Sequence, residues 1–193
     1  MTRAALSTTR STDKRERLLE AARDLFHRRG IERTALADIA KAADVPLGNV
    51  YYYFKAKDDI VRAVIAAHLE NLQAVLRTFD CYPSPRDRLI AFTREVSRTG
   101  PDVARHGCPH GSLCSELGNR TDDLAEASAA LMRIRLDWAR QQFRLLGRKD
   151  ADELALTLNS IVQGASVLAN ACSDPSVLRR QMQYAQRWIN ALP

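Results

Sequence analysis

Four thiol or imidazole side chains fall within nine residues in RHGCPHGSLCSEL: His106, Cys108, His110 and Cys114. Groups of this kind can do three things. A cysteine just ahead of a helix N-terminus is biased toward the thiolate by the helix dipole. Cys108 precedes Pro109 and has Arg105 and His106 beside it, so an oxidant or electrophile could modify it. His110 and Cys114 are four apart and could share a metal on one helical face. No zinc-finger spacing or carboxylate pair completes such a site, so no metal is expected. The cysteines could also pack as small hydrophobes while the segment opens a helix that lines a pocket. Glu116, one turn beyond Leu113, reads as a cap or a pocket acid. The three readings stay open at this point.

A second stretch, DVPLGNVYYYFKAKDD (residues 44–59), sets Tyr51, Tyr52, Tyr53 and Phe54 beside Lys55 and Lys57. Aromatics are otherwise scarce, at 6% of the chain. The charge is also concentrated here. The net charge is +6, and residues 1–57 hold twelve Lys/Arg against seven Asp/Glu, whereas the remainder is close to neutral. A basic N-terminal third on a neutral body suits a polyanion-binding head.

The elements that must position these residues read as helices throughout. Leu18, Leu19, Ala22, Leu25 and Phe26 share one face of a first helix, and Gly30 suits its stop. A short helix follows, with Thr34 as N-cap and Leu36, Ile39 and Ala40 inward. Asp44 tolerates a left-handed turn, and Pro46 suits the first turn of a third helix. There Val50 and Phe54, four apart, point inward while the tyrosines fan outward. Further helices are expected over about 57–79, 85–99, 111–118, 121–146, 149–172 and 175–191, with GPDVARHGCPHG irregular. No strand pattern, repeat or membrane-spanning apolar run is apparent. The expectation is an all-α chain of about nine helices, with residues 1–56 as a head and 57–193 as a body.

A short helix, a tight turn and a second short helix form a helix-turn-helix, whose second helix enters the major groove of DNA. Tyrosine hydroxyls can donate to phosphates, Gly48 permits close approach, Asn49 can meet a base edge, and Lys55 and Lys57 can neutralise phosphates. The run from Glu16 to Val64 resembles the DNA-binding domain of the TetR family of transcriptional regulators. The resemblance rests on Phe26, Gly30, Thr34, Ile39, Ala40, Ala43, Val45, Gly48, Tyr51, Tyr52, Tyr53, Phe54 and Lys57 in fixed register. It implies DNA contacts at Thr34, Leu47, Gly48, Asn49, Tyr51, Tyr52, Tyr53 and Lys57. Ala37, where a basic residue is common, and Asp44, in place of a turn glycine, depart from the pattern.

The resemblance also implies a cytoplasmic homodimeric repressor of double-stranded operator DNA, released by a small-molecule inducer. The body would dimerise through its last two helices, for which Leu158, Ile161, Val162, Ala165, Leu168, Met182, Ala185, Trp188 and Ile189 are the candidates. Cys108, His110, Leu113, Cys114, Leu117 and Trp138 are the candidate ligand or sensor residues, with thiol modification at Cys108 as the alternative switch. No phosphate loop, nucleotide fingerprint or nucleophile–base spacing is present, so neither catalytic residues nor a cofactor are expected. A helical enzyme or an adaptor without DNA binding is the rival from another class. An adaptor would need neither the basic head nor the tyrosine row.

Overall fold

The computed structural model describes residues 3–193, with side chains from residue 13 onward. Residues 1 and 2 of the expected N-terminal arm lie outside the described residues. Among those described there are ten α-helices and no strand: α1 Arg3–Arg29, α2 Leu36–Ala42, α3 Leu47–Tyr53, α4 Lys57–Thr78, α5 Pro85–Arg98, α6 Gly100–His106, α7 Pro109–Leu117, α8 Asp123–Leu145, α9 Ala151–Ala171 and α10 Pro175–Ala191. A single 3-10 turn, Phe79–Cys81, continues α4.

The helix ends follow local chemistry. The side chains of Ser84, Asp122 and Asp174 accept from backbone N–H groups of the first turns of α5, α8 and α10. Proline occupies the first or second position of α5, α6, α7 and α10, where its missing N–H costs nothing. The segment expected to be irregular contains α6. Pro101 starts it, and Gly107 stops it with a left-handed φ of 82°. Seven residues between a proline and two glycines carry too little apolar periodicity to announce a helix.

Two apolar cores result. In the first, Leu18, Ala22 and Phe26 of α1 meet Ile39, Val50 and Phe54 of the head and Ile60, Val64 and Ile65 of α4. The same cluster includes Leu113 and Leu117 of α7 and Leu124 and Leu131 of α8. The head therefore does not close its core on itself; α7 and α8 complete it. The second core joins the far half of α4 (Leu72, Leu76) to Leu89, Phe92, Phe143, Leu158, Met182 and Ile189. Among the described residues, α9 is the one helix long and apolar enough to cross a bilayer. Its Leu158, Val162, Ala165 and Ala169 are instead buried against the other helices of the body.

Candidate DNA-binding face and effector cavity

The turn between α2 and α3 is held from both sides. Asp44 has a φ of 51°, as its side chain permits. Arg17 of α1 donates to the carbonyls of Ala43 and Asp44 and reaches the Asp44 carboxylate at 3.2 Å. Val50 and Phe54 are buried, which fixes the rotation of α3. Leu47, Gly48, Tyr51 and Tyr52 are then exposed, while Asn49 and Tyr53 are half-buried. Tyr52 is 73% and Tyr51 49% exposed, a solvent load that folding alone does not explain. A side chain added at Gly48 would meet nothing within 4 Å, so that face is open to close approach. The lysines rest on the protein: Lys55 Nζ donates to the Tyr51 carbonyl and Lys57 Nζ to the Glu32 carbonyl.

Thr34 departs from its expected role. It is fully buried, and its hydroxyl donates to the Gly30 carbonyl at 2.7 Å. Ala35 is the N-cap of α2, and the Asp38 carboxylate accepts from the Ala35 N–H. Thr34 thus closes the α1–α2 loop and does not reach the DNA-facing surface.

That loop is also gripped by the body. Glu116, near the end of α7, accepts from the Ile31 N–H at 2.7 Å and from the Glu32 N–H at 3.3 Å through one oxygen. Hydrogen bonds to a charged acceptor contribute about 1.5–3 kcal/mol each. His27 of α1 bonds the Gly107 carbonyl at 2.9 Å, with Asp102 3.6 Å from its other nitrogen. Two exposed ion pairs, Arg62–Asp123 and Arg120–Asp58, cross the same junction and add little in water. The sequence offered Glu116 as a cap or a pocket acid. That it caps another segment's backbone depends on the tertiary fold.

Below the junction lies a cavity of about 220 Å³. Its wall is largely apolar, with Leu72, Val75, Leu76, Phe79, Phe92, Val96, Val103 and Val162, and its polar groups are Asn71, Glu95, Thr99, Asp102, Cys108, His110, Arg135 and Ser166. Cys108 and His110 are therefore in the cavity wall. The other expected ligand residues are not. Leu113 and Leu117 are buried in the head's core. The Cys114 thiol donates to the Ser128 carbonyl at 3.1 Å. Trp138 packs on Phe79 and Phe92 and lines a separate surface groove. An apolar helical face identifies burial, but only tertiary packing decides whether the far side is core or void.

Arg135 was not foreseen as a site residue. It is 9% exposed and its Nη2 donates to His110 Nδ1. Burial, reinforced by Arg135, pushes His110 well below the usual imidazole range. His68, edge-to-face with His110 at 4.9 Å, is lowered to about 4, first by burial and then by Arg23, His27 and Arg135. Both rings are neutral at neutral pH. Burial raises the Cys114 thiol, which leaves it unreactive. Cys108 is half-buried, and its sulfur accepts from the Gly111 N–H at the start of α7. His110 and Cys114 are thus engaged separately, and among the described residues no group of three metal-ligating side chains converges.

The last two helices also correct the sequence reading. Leu158, Val162, Ala165, Met182, Ala185 and Ile189 are buried within the protomer and cannot form an interface. Ile161 and Trp188 are half-buried, with Trp188 against Phe143. Of the expected residues Leu168 is exposed, and the free apolar surface around it comprises Leu156, Gly164 and Val167 on α9 and Tyr184 on α10. The apolar stripe of α9 is wide enough to serve both a core and a second surface, and periodicity alone does not separate the two.

Residues 18–64 match the family described as "Bacterial regulatory proteins, tetR family". The chain is 42% identical over 164 residues to the probable HTH-type transcriptional regulator ArpR of Pseudomonas putida, covering 79% of this chain and 78% of that protein. It is 30% identical over 124 residues to the HTH-type transcriptional repressor NemR of Escherichia coli. That match covers 62% of this chain and spans only 60% of NemR. The fold is similar to that of a TetR transcriptional regulator from Chloroflexus aurantiacus, with a TM-score of 0.84 at 23% identity over 95% of this chain and 97% of that one.

Two outcomes follow from this geometry. Gly30 has a φ of 83°, and an added Cβ would lie 2.9 Å from Glu116 Oε1. Gly30→Ala should cost about 1–3 kcal/mol in urea unfolding from backbone strain, with Glu116 displaced from the loop. A folded pKa for His68 below its ordinary 6.5 means that the unfolded chain binds the proton more readily. His68 therefore favours folding fully above pH 6.5 and progressively less as pH falls toward 4. The melting temperature should fall across that window, and less steeply in His68→Gln.

Proposed function

The chain belongs to the tetR family of bacterial regulatory proteins, and on that footing we propose that it is a homodimeric repressor released from its operator by a small molecule in the cavity. The observation that carries this reading is α3: Val50 and Phe54 anchor it, and Tyr51 and Tyr52 stand exposed beside an unobstructed Gly48. In the major groove, Leu47, Gly48 and Asn49 approach base edges. The tyrosine hydroxyls meet phosphates, and Lys55 and Lys57 leave their carbonyl partners for the backbone. The site of action is the cytoplasm, where the operator is.

A dimer supplies the second α3. Its interface is the outer face of α9 and α10, where Val167 is 67% and Leu168 54% exposed. A two-fold axis there pairs each patch with itself and can hold the two recognition helices about 34–36 Å apart. A ligand that prefers a body conformation with displaced α4 or α7 breaks that spacing and weakens operator binding by its differential affinity, typically about 1–3 kcal/mol. Thiol modification is a second reading, favoured by Cys108 standing in the cavity wall at the start of α7. An adduct there would occupy the cavity covalently.

The test is a fluorescence-anisotropy titration onto DNA from the region beside the protein's own coding sequence, at several salt concentrations. Binding should weaken steeply with salt. Tyr52→Ala should lose about tenfold in affinity, or about 1.4 kcal/mol, while remaining folded. Val167→Glu should run as a monomer in size exclusion and lose the operator. Full affinity in both variants contradicts the docking and dimer surfaces. Loss of operator binding on treatment with a disulfide-forming reagent, restored by reductant and absent in Cys108→Ser, would assign the switch to the thiol.

A further inference from the structure

We propose that the cavity takes an organic anion, a carboxylate on an apolar body, and that Arg135 holds the carboxylate. The proposal rests on reading the cavity as the effector site. Arg135 lines the cavity and is 9% exposed. Among the described residues it has no carboxylate partner. Its Nη2 donates to a neutral imidazole, His110, and its buried Nε has no hydrogen-bond partner.

A guanidinium does not shed its proton to escape burial. A buried cation without a counter-ion is costly, because desolvation is not repaid by an opposite charge. The nearest groups add no negative charge: His68 and His110 are neutral rings, and Arg23 acts on both as a further cation. Two carboxylates do border the cavity, Glu95 and Asp102. Glu95 is paired with Arg98 and Asp102 faces His27, and both side chains are substantially solvated. They are rim groups with partners of their own.

The complement to a buried guanidinium with a free Nε is a small anion. A carboxylate or a similar planar anion meets the guanidinium fork directly, and the low-dielectric wall strengthens the contact. The rest of the wall is mostly apolar, with Leu72, Val75, Phe79, Phe92 and Val96, and suits a hydrocarbon or aryl body; Asn71, Thr99 and Ser166 are the neutral polar groups among them. One charged end and one apolar end match a small aromatic or aliphatic acid better than a sugar, a nucleotide or an amine. An amine would place a second cation beside Arg135.

The experiment compares acids with their neutral amides on the full-length protein, by calorimetric titration and thermal shift: benzoate with benzamide, phenylacetate with phenylacetamide, octanoate with octanamide. At least one acid should bind tenfold or more tightly than its amide and raise the melting temperature. In Arg135→Gln that preference should vanish, while the ligand-free protein is as stable as the parent or more so, since a buried unpaired charge is gone. Amides that bind as well as the acids, the absence of binding by every acid, or an unchanged preference in Arg135→Gln overturns the proposal. The acid–amide comparison on the unaltered protein decides even where the variant fails to fold. Operator release is measured separately by anisotropy with the same acids. An acid that binds through Arg135 but leaves the operator occupied supports the site and contradicts the inducer role. Release by the amides alone does the reverse.

Discussion

The backbone N–H groups of Ile31 and Glu32, at the end of the first helix, donate to the carboxylate of Glu116 from the body. This contact joins the two parts of the molecule, since the loop it holds sets the angle between α1 and the helix-turn-helix. Gly30 supplies the left-handed turn that aims those N–H groups outward, and its lack of a side chain makes room for the carboxylate. Thr34 closes the loop from inside through the Gly30 carbonyl. The orientation of α3 thus depends on a residue more than sixty positions away in sequence.

Helix α7 carries that dependence to the cavity. Its first turn presents Cys108 and His110 to the cavity wall. Its middle and end place Leu113 and Leu117 in the head's core, with Glu116 at the loop. Nine residues span about 13 Å at 1.5 Å per residue. A helix that short is close to rigid, so α7 forms a direct mechanical link between the cavity wall and the head. The long helices α4 and α8 pass through both cores and give α7 a fixed frame to move against. Arg135, in the wall of the same cavity, is bonded to the α7 residue His110. The anion proposed at the guanidinium would therefore act on the same helix.

Much of this was legible in the sequence because it is local. The 3.6-residue period predicts the helices, and Pro46, Asp44 and Val50 with Phe54 predict the turn and the outward face of α3. The α6 segment was missed because its two glycines and proline mask a short helix. Thr34 was misread because a threonine ahead of a helix looks like a cap, whereas here it bonds backward into the loop. The cavity and the interface were only partly legible. Leu113, Leu117 and Trp138 are as apolar as the residues that line the cavity, and Leu158 and Val162 as apolar as the exposed Val167 and Leu168. Which side of a helix meets core, void or partner is decided by contacts between distant elements. Arg135 carried no signal, since an arginine in α8 reads as surface until its burial is known.

The most direct measurement is amide hydrogen exchange at Ile31 and Glu32 as the cavity is filled. A chain with Cys81→Ser and Cys172→Ser, which removes the two exposed cysteines, is treated with N-ethylmaleimide so that Cys108 carries a group into the cavity. If α7 couples the cavity to the head, exchange at Ile31 and Glu32 should quicken by about tenfold or more, as expected for loss of a charge-assisted hydrogen bond. Amides in the middle of α9 should be unaffected. Unchanged exchange at Ile31 and Glu32 with the adduct in place would contradict the coupling.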